Sequence, residues 1–238
     1  SAVATRNIGT MSNRGVEINT DVDIYRTRDW TVNFAANATY IKNKVVKLPE
    51  QNKNGILSDY FNIVEGKSLY EYYLYTFVGV DQMTGNSLYK ADLSKYCVKN
   101  ADNVVVAGNA NGADLSKVVT QINGEYYVNN PSYSYREFQG SAIPKFYGSF
   151  SPSVRYKSFA VSALFTYSIG GKVFDNVYKT LMTTSGTPQN NHVDILKSWQ
   201  GVPDGMTADS PDRIAPHGIP QVNSGLSANN NAVSSRWL

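Results

Sequence analysis

The sequence has a single cysteine, few charged residues and no long apolar run. One cysteine excludes an intrachain disulfide framework and a zinc site made of several cysteines, so we interpret Cys97 as a lone thiol in a loop. Charged residues are 17% of the 238 positions, which is low for a surface that faces water on all sides. The net charge of +3 is too small and too dispersed to predict binding to nucleic acid.

No stretch approaches 18 uninterrupted apolar residues, so the sequence predicts no transmembrane helix. A membrane β-barrel is not excluded, because its strands alternate apolar and polar residues and so have a low average hydropathy. The first residues lack a charged segment followed by an apolar core, so we expect any export signal to lie outside this sequence. The chain does contain 17 tyrosines and 18 glycines, with segments rich in Val, Thr and Asn, and we find no convincing helical periodicity. This composition predicts an all-β fold.

The segment Trp30–Tyr40 has the clearest pattern. Its even positions are apolar and its odd positions are mostly small and polar, so a strand here has one apolar and one polar face. Ten steps of about 3.3 Å, tilted by about 40°, cover roughly 25 Å along a membrane normal, which is the height of the apolar band of an outer-membrane barrel. Trp30 and Tyr40 lie at the two ends, where interfacial aromatic residues are expected.

Two antiparallel hairpins are predicted, at 15–40 and 145–169. In the first, Gly15–Tyr25 alternates in the same way, with an apolar face that we extend to Ile24. We expect the polar residues of both strands of this hairpin to face a water-filled lumen. These residues are Glu17, Asn19, Asp21, Asn33 and Asn37. In the second hairpin Leu164 lies on the polar face, and Pro152, which cannot donate a ladder hydrogen bond, predicts a bulge or a local break.

The connections are very unequal in length. Two short turns lie inside the hairpins, whereas 41–144 and 170–230 are long, as in transmembrane barrels with short periplasmic turns and long extracellular loops.

The segment 72–80 has no polar face, so we predict that it belongs to a folded external loop and does not cross the membrane. Residues 231–238 resemble the start of another strand. A closed barrel needs at least about eight strands, so we expect the four strands found here to be part of a longer one.

No pattern of catalytic, metal-binding or cofactor-binding residues is apparent. His192 and His217 stand in an irregular region without ligand spacing. Three aspartates at 204, 209 and 212 lack the spacing of a calcium loop, and Gly170-Gly171-Lys172 lacks that of a phosphate loop. We therefore predict no enzyme, no metal and no cofactor.

Loop aromatics are the better candidates for contact with a ligand or a partner, because Tyr and Trp offer apolar area with a polar tip. The candidates are Tyr126, Tyr127, Tyr133, Tyr135 and Trp199. Packing of a long loop against itself is the alternative explanation for each of them.

Four ordered motifs together resemble the C-terminal barrel portion of SusC-like (SusC/RagA-type) TonB-dependent transporters of the Bacteroidetes outer membrane. They are Asn7-Ile8-Gly9 with Asn13-Arg14-Gly15-Val16-Glu17-Ile18, Gly79-Val80-Asp81 with Thr84-Gly85, Gly140-Ser141-Ala142-Ile143-Pro144-Lys145-Phe146 with Gly148-Ser149-Phe150, and Tyr167-Ser168-Ile169-Gly170-Gly171-Lys172-Val173. The resemblance extends over nearly the whole chain.

The resemblance implies a barrel of about 22 strands that holds an N-terminal plug. Such proteins import glycans or peptides with energy from the inner-membrane TonB complex, usually under a SusD-like lipoprotein that lies on the external loops. The present sequence departs from this pattern because it has no plug, no TonB-contacting segment and no terminal strand that ends in an aromatic residue. Two alternatives remain, a soluble β-sandwich that binds carbohydrate and, with less support, a surface adhesin. In the barrel the apolar faces contact lipid, and in the sandwich they contact a second sheet.

Overall fold

The computed structural model describes residues 9–184 and 190–238. Asn7 and Ile8 of the first motif therefore lie outside the described residues. The chain divides into two compact units, the first made of the residues up to Tyr72 with Gln139–Val173 and the second of Tyr73–Phe138 with Phe174–Leu238. Among the described residues, no helix has the length and apolar character that a membrane span requires.

Strands dominate the chain, as the composition predicts. In chain order they are β1 (Thr10–Arg26), β2 (Trp30–Lys47), β3 (Ile56–Leu57), β4 (Asn62–Ile63), β5 (Glu71–Tyr75), β6 (Phe77–Asp81), β7 (Ser87–Lys90), β8 (Tyr96–Lys99), β9 (Val105–Gly108), β10 (Ala113–Asp114), β11 (Val119–Ile122), β12 (Glu125–Val128), β13 (Arg136–Ser141), β14 (Phe146–Tyr156), β15 (Phe159–Ser162), β16 (Phe165–Ile169) and β17 (Ile214–Ala215). Two short helices, α1 (Asn176–Leu181) and α2 (Ser227–Asn230), follow the second hairpin.

The first unit is built on a sheet whose order is β1-β2-β14-β15, with β16 also paired to β14. Its pairs are antiparallel, and β14 lies directly beside β2 with Trp30 opposite Tyr156 and Tyr40 opposite Phe146. The long segment between β2 and β14 therefore adds no strand between these two neighbours. The backbone amide of Lys157 donates to the carbonyl oxygen of Asp29 at 2.7 Å, so the two short turns lie side by side at one end.

Period-two alternation places most aromatic rings of these strands on one face of the sheet, whereas Tyr147 lies opposite Thr39 on the other face. Ring centroids are 4.4 Å apart for Trp30 and Tyr156 at the turn end and 4.9 Å apart for Tyr40 and Phe146 at the other end. Between them Phe150 stacks on Phe165 at 4.8 Å. This face is open to its surroundings: Val161, for example, keeps 74% of its exposed area. A soluble sandwich would bury these side chains against a second sheet, so the exposure favours the barrel interpretation.

Two irregularities of this sheet bear on the predictions. The register shifts between Asp23 and Tyr25, so Ile24 occupies a bulge and Tyr25 aligns with Val32. The extra residue reverses the alternation beyond it, so the regular pattern of alternating faces in β1 ends at Asp23. Opposite Pro152 the returning strand breaks between Ser162 and Phe165, which confirms a local break there.

The second unit has a five-stranded sheet in the order β11-β12-β7-β6-β17. Tyr89 and Val128 belong to a core cluster with Ala91 and Leu115, whereas Leu88, Ile122 and Tyr127 form another. Neighbouring residues of β7 and β12 contribute to different clusters, which shows that the sheet is covered on both faces. This explains why 72–80 lacks a polar face.

Three local expectations for this part of the chain need correction. The segment 72–80 is not continuous, since β5 ends at Tyr75 and β6 begins at Phe77. Cys97 is fully buried in β8 instead of lying in a loop. Residues 231–238 carry a 3₁₀ turn at Ser235–Trp237 in place of the strand start.

Adjacent residues of β14 allow a direct test of which face meets lipid. Phe150 lies on the aromatic face and Ser151 on the opposite face. We expect Phe150→Arg in the full-length protein to lower its free energy of unfolding from bilayers by about 2–4 kcal/mol, the cost of a cation at mid-membrane depth. Ser151→Arg is the matched control and should cost little, because the polar face carries carboxylates and water. Equal losses for the two variants in denaturant titrations would contradict the lipid-facing assignment.

Candidate functional site

The polar face of the first unit's sheet brings together the residues predicted to line a lumen. Strand register places Asn19 opposite Asn37 and Asp21 opposite Ala35. The amide nitrogen of Asn33 donates to Asp21 at 2.6 Å and to Asp23 at 3.1 Å. All five predicted positions therefore share this face, namely Glu17, Asn19, Asp21, Asn33 and Asn37.

A shallow depression of about 350 Å³ lies on this polar face. Its floor is made of small side chains, including Ala35, Ser149 and Ser151. The amide of Asn37 ties two strands together there, since it donates to the Ser149 hydroxyl at 2.8 Å and accepts from the Ser149 amide at 3.0 Å. The depression is lined by amide, hydroxyl and carboxylate groups together with alanines, which suits the wall of an aqueous conduit.

The second unit contains a larger cleft of about 620 Å³. Three tyrosines and an arginine line it, contributed by β5, β12 and the segment around the start of β13; they are Tyr73, Tyr126, Tyr135 and Arg136. Lys90, Asp92, Lys95 and Glu125 add charges of both signs to its wall. Aromatic faces and charged groups in one cleft can hold a polar ligand that has some apolar surface.

The charges in the cleft wall are partly paired. The Lys95 ammonium lies 3.0 Å from the Asp92 carboxylate, whose side chain is nearly buried. Burial opposes ionisation of Asp92, but hydrogen bonds from Ser94 and Lys95 outweigh it and hold the pKa of this carboxyl below its usual value. The Arg136 guanidinium lies over the Tyr75 ring, 4.9 Å from its centroid. The wall is therefore held in shape by its own contacts and stays charged at neutral pH.

Of the five aromatic residues predicted to contact a ligand, Tyr126 and Tyr135 line the cleft. Tyr127, only 8% exposed, is part of the core, and Tyr133 packs edge-on against Tyr96 at 5.6 Å. Trp199 donates from its indole nitrogen to the carbonyl oxygen of Gln82 at 2.9 Å. These three side chains are engaged by their own unit.

The sequence analysis did not identify Tyr73 and Arg136 as members of the cleft. They come from strands more than 60 positions apart in the chain, and only the pairing of β5 with β13 brings them together. No local pattern in the sequence signals that pairing.

The motif Val80-Asp81 with Thr84-Gly85 forms a turn that is organised by one carboxylate. Asp81 accepts hydrogen bonds from the Met83 amide at 3.1 Å and the Thr84 hydroxyl at 3.0 Å. The Arg213 guanidinium binds the same carboxylate through two nitrogens, at 2.8 and 3.1 Å. Gly85 has a positive φ, and a Cβ there would collide with the Trp199 ring. The motif is thus a structural turn rather than a binding loop.

The pKa of Asp81 follows from this environment. Burial alone would raise it, but the hydrogen bonds from Arg213, Met83 and Thr84 are stronger and lower the pKa from its ordinary 3.8. A lowered folded-state pKa contributes stability that is complete above the unfolded value and is lost as the pH falls through the folded one. The stability that Asp81 contributes should therefore be lost only in acid, below about pH 4.

The two histidines do not form a metal site. The His192 ring accepts a hydrogen bond from the Asp194 amide at 3.1 Å and begins a 3₁₀ turn. Across the described ranges 9–184 and 190–238, no group of three His, Cys, Asp or Glu side chains could hold a metal ion.

Comparisons with known proteins agree with this architecture, although no family model matches the chain. TonB-dependent receptor P3 of Formosa agariphila is 28% identical over 202 residues, 82% of this chain, and receptor P39 of the same organism is 25% identical over 71% of it. A solved structure of the RagAB peptide transporter superposes with a TM-score of 0.58 at 22% identity over 86% of this chain. The closed-closed state of the RagAB peptide importer gives 0.55 at 20% identity over 93%.

These matches confirm the resemblance to SusC-like (RagA-type) TonB-dependent transporters. They also confirm the all-β fold as that of a partial barrel. The chain spans about a fifth of the length of these relatives and structures, namely 18% of each receptor and 21–22% of each transporter chain. The relatives are named as receptors and transporters, which supports a non-enzymatic role at the family level.

The buried pair of Asp81 and Arg213 can be tested by substitution. We expect Asp81→Asn to leave Arg213 as an uncompensated buried cation and to cost about 3 kcal/mol of local stability. Amide hydrogen exchange of residues 80–90, measured by mass spectrometry on the full-length protein, should become about a hundredfold faster. Asp114→Asn is the control, since this exposed aspartate caps a turn through Ser116 without an arginine. Similar exchange in both variants would show that Arg213 contributes nothing.

Proposed function

We propose that this chain forms part of the barrel wall and external loops of an outer-membrane TonB-dependent importer of glycans or peptides. The observation that carries the proposal is the exposed apolar face of the first unit, which is bounded by aromatic pairs at both ends. A face of this kind matches the hydrocarbon band and the two aromatic girdles of a bacterial barrel.

The orientation follows from the lengths of the connections. The two short turns, which lie together at one end, face the periplasm, and the residues inserted between β2 and β14 lie outside the cell. In this proposal, a SusD-like surface lipoprotein lies on the external residues and covers the entrance. Energy reaches the barrel from the TonB complex through a plug that is not encoded within these 238 residues.

The cleft of the second unit is proposed as a contact site for the substrate on its way inward. It offers tyrosine rings for stacking, together with Arg136 and the carboxylates of Asp92 and Glu125 for polar groups. The polar face of the first unit, which carries Asn19, Asp21 and Asn37, is proposed separately as the wall that the substrate meets in the lumen.

This assignment predicts that Tyr126→Ala and Tyr135→Ala each weaken substrate binding about tenfold, because each removes a stacking surface worth on the order of 1 kcal/mol. The measurement is uptake and equilibrium binding by cells that produce the full-length protein, with surface levels determined by antibody. The surface level should not change.

Tyr127→Ala, one residue along β12, is the matched control. Tyr127 lies in the core with Leu88 and Ile122, so we expect its loss to cost about 3–5 kcal/mol and to reduce the amount of folded protein. If Tyr126→Ala leaves both uptake and binding unchanged, the cleft is not a substrate contact.

A further inference from the structure

The apolar face of the sheet continues beyond its aromatic end as a strip of cations. After Tyr40 the side chains of β2 alternate, with Lys42 and Lys44 exposed and Ile41, Asn43 and Val45 covered or partly covered. The covering comes from the first unit's own chain, because Asn43 accepts from the Leu69 amide at 2.7 Å and the Val45 amide donates to Lys67 at 2.8 Å. The exposed lysines therefore point to the same side as the lipid-facing residues.

Arg14 of β1 adds a third positive charge to this strip. It lies directly opposite Lys42 in the register, and Ser12 lies opposite Lys44. All three cationic residues are exposed. Within the described part of the chain, none of the ion pairs involves them.

Like charges directly across a strand pair repel one another, so this arrangement is unfavourable for the sheet alone. An anion bound between Arg14 and Lys42 attracts both side chains and so replaces their repulsion by a favourable interaction. Two residues along a strand span about 7 Å, so Arg14 and Lys42 begin about 7 Å beyond the aromatic pair of Tyr40 and Phe146 and Lys44 follows about 7 Å later. This is the depth at which lipid headgroups lie, next to the interfacial aromatic residues.

We propose that Arg14, Lys42 and Lys44 bind the phosphate of a lipid whose acyl chains lie against the apolar face below them. The guanidinium offers paired donors to phosphate oxygens and the two ammonium groups add charge, which is the combination that recognises anionic headgroups. This inference rests on the proposed function, because it requires the aromatic face to lie in a bilayer.

The test uses the full-length protein that contains this chain, purified in a neutral detergent. Native mass spectrometry during a titration with dimyristoyl phosphatidic acid measures lipid binding, and dimyristoyl glycerol, which lacks the phosphate, is the lipid control. We expect the double variant Lys42→Gln/Lys44→Gln to bind phosphatidic acid at least about tenfold more weakly, with no change for the glycerol lipid. Lys53→Gln/Lys117→Gln removes the same charge from exposed lysines elsewhere and should bind like the unmodified protein.

Two further measurements separate the possible failures. Heat-modifiable migration in gels reports whether the barrel assembles; failure of the unmodified protein to assemble in membranes would overturn the proposed function and this inference together. Normal assembly with equal phosphatidic acid binding by both double variants overturns the inference alone. Displacement of the lipid by an equal concentration of inorganic phosphate would also overturn it, since the site would then select a free anion rather than a lipid.

Discussion

Pairing of backbone polar groups is the constraint on which the first unit depends. In a bilayer an unpaired N–H or C=O costs several kcal/mol, so a strand that meets lipid must have partners along its length. β2 has them, because β1 pairs with it on one side and β14 on the other. Since side chains alternate with a period of two, this register also aligns Trp30 with Tyr156 and Asn37 with Ser149. A slip by one residue would turn polar groups toward lipid.

The same pairing permits a large insertion. β2 and β14 are adjacent, so the chain between them leaves and re-enters the sheet at neighbouring positions. The entropy cost of closing such a connection grows only slowly with its length. The second unit can then bury its apolar side chains in its own cores instead of exposing them. Its strands bury side chains on both faces, with Tyr89 fully buried where Val161 of the barrel wall is 74% exposed.

This difference explains how far the sequence predicts the structure. The two hairpins and the apolar face of each strand follow from alternation, because the two sides of a barrel strand meet different solvents. The bulge at Ile24 and the interruption of the strand at Thr76 cannot be seen in the sequence, since a change at one residue barely alters the composition of a segment. Inside the second unit both faces of a strand meet protein, so alternation carries little information there. The cleft depends on pairing between distant strands.

The two adjacent tyrosines of β12 have different roles in the second unit. Tyr126 and Tyr127 are adjacent, so a strand sends them to opposite faces. One lines the cleft and the other fills the core. Composition identifies both as good contact residues, and only the register of β12 against β7 assigns their roles. Because the core side is fixed by packing, substitutions on the cleft side can change what is bound without disturbing the sheet. That separation allows the residues that line the cleft to vary while the core on the other face of the same strand keeps its packing.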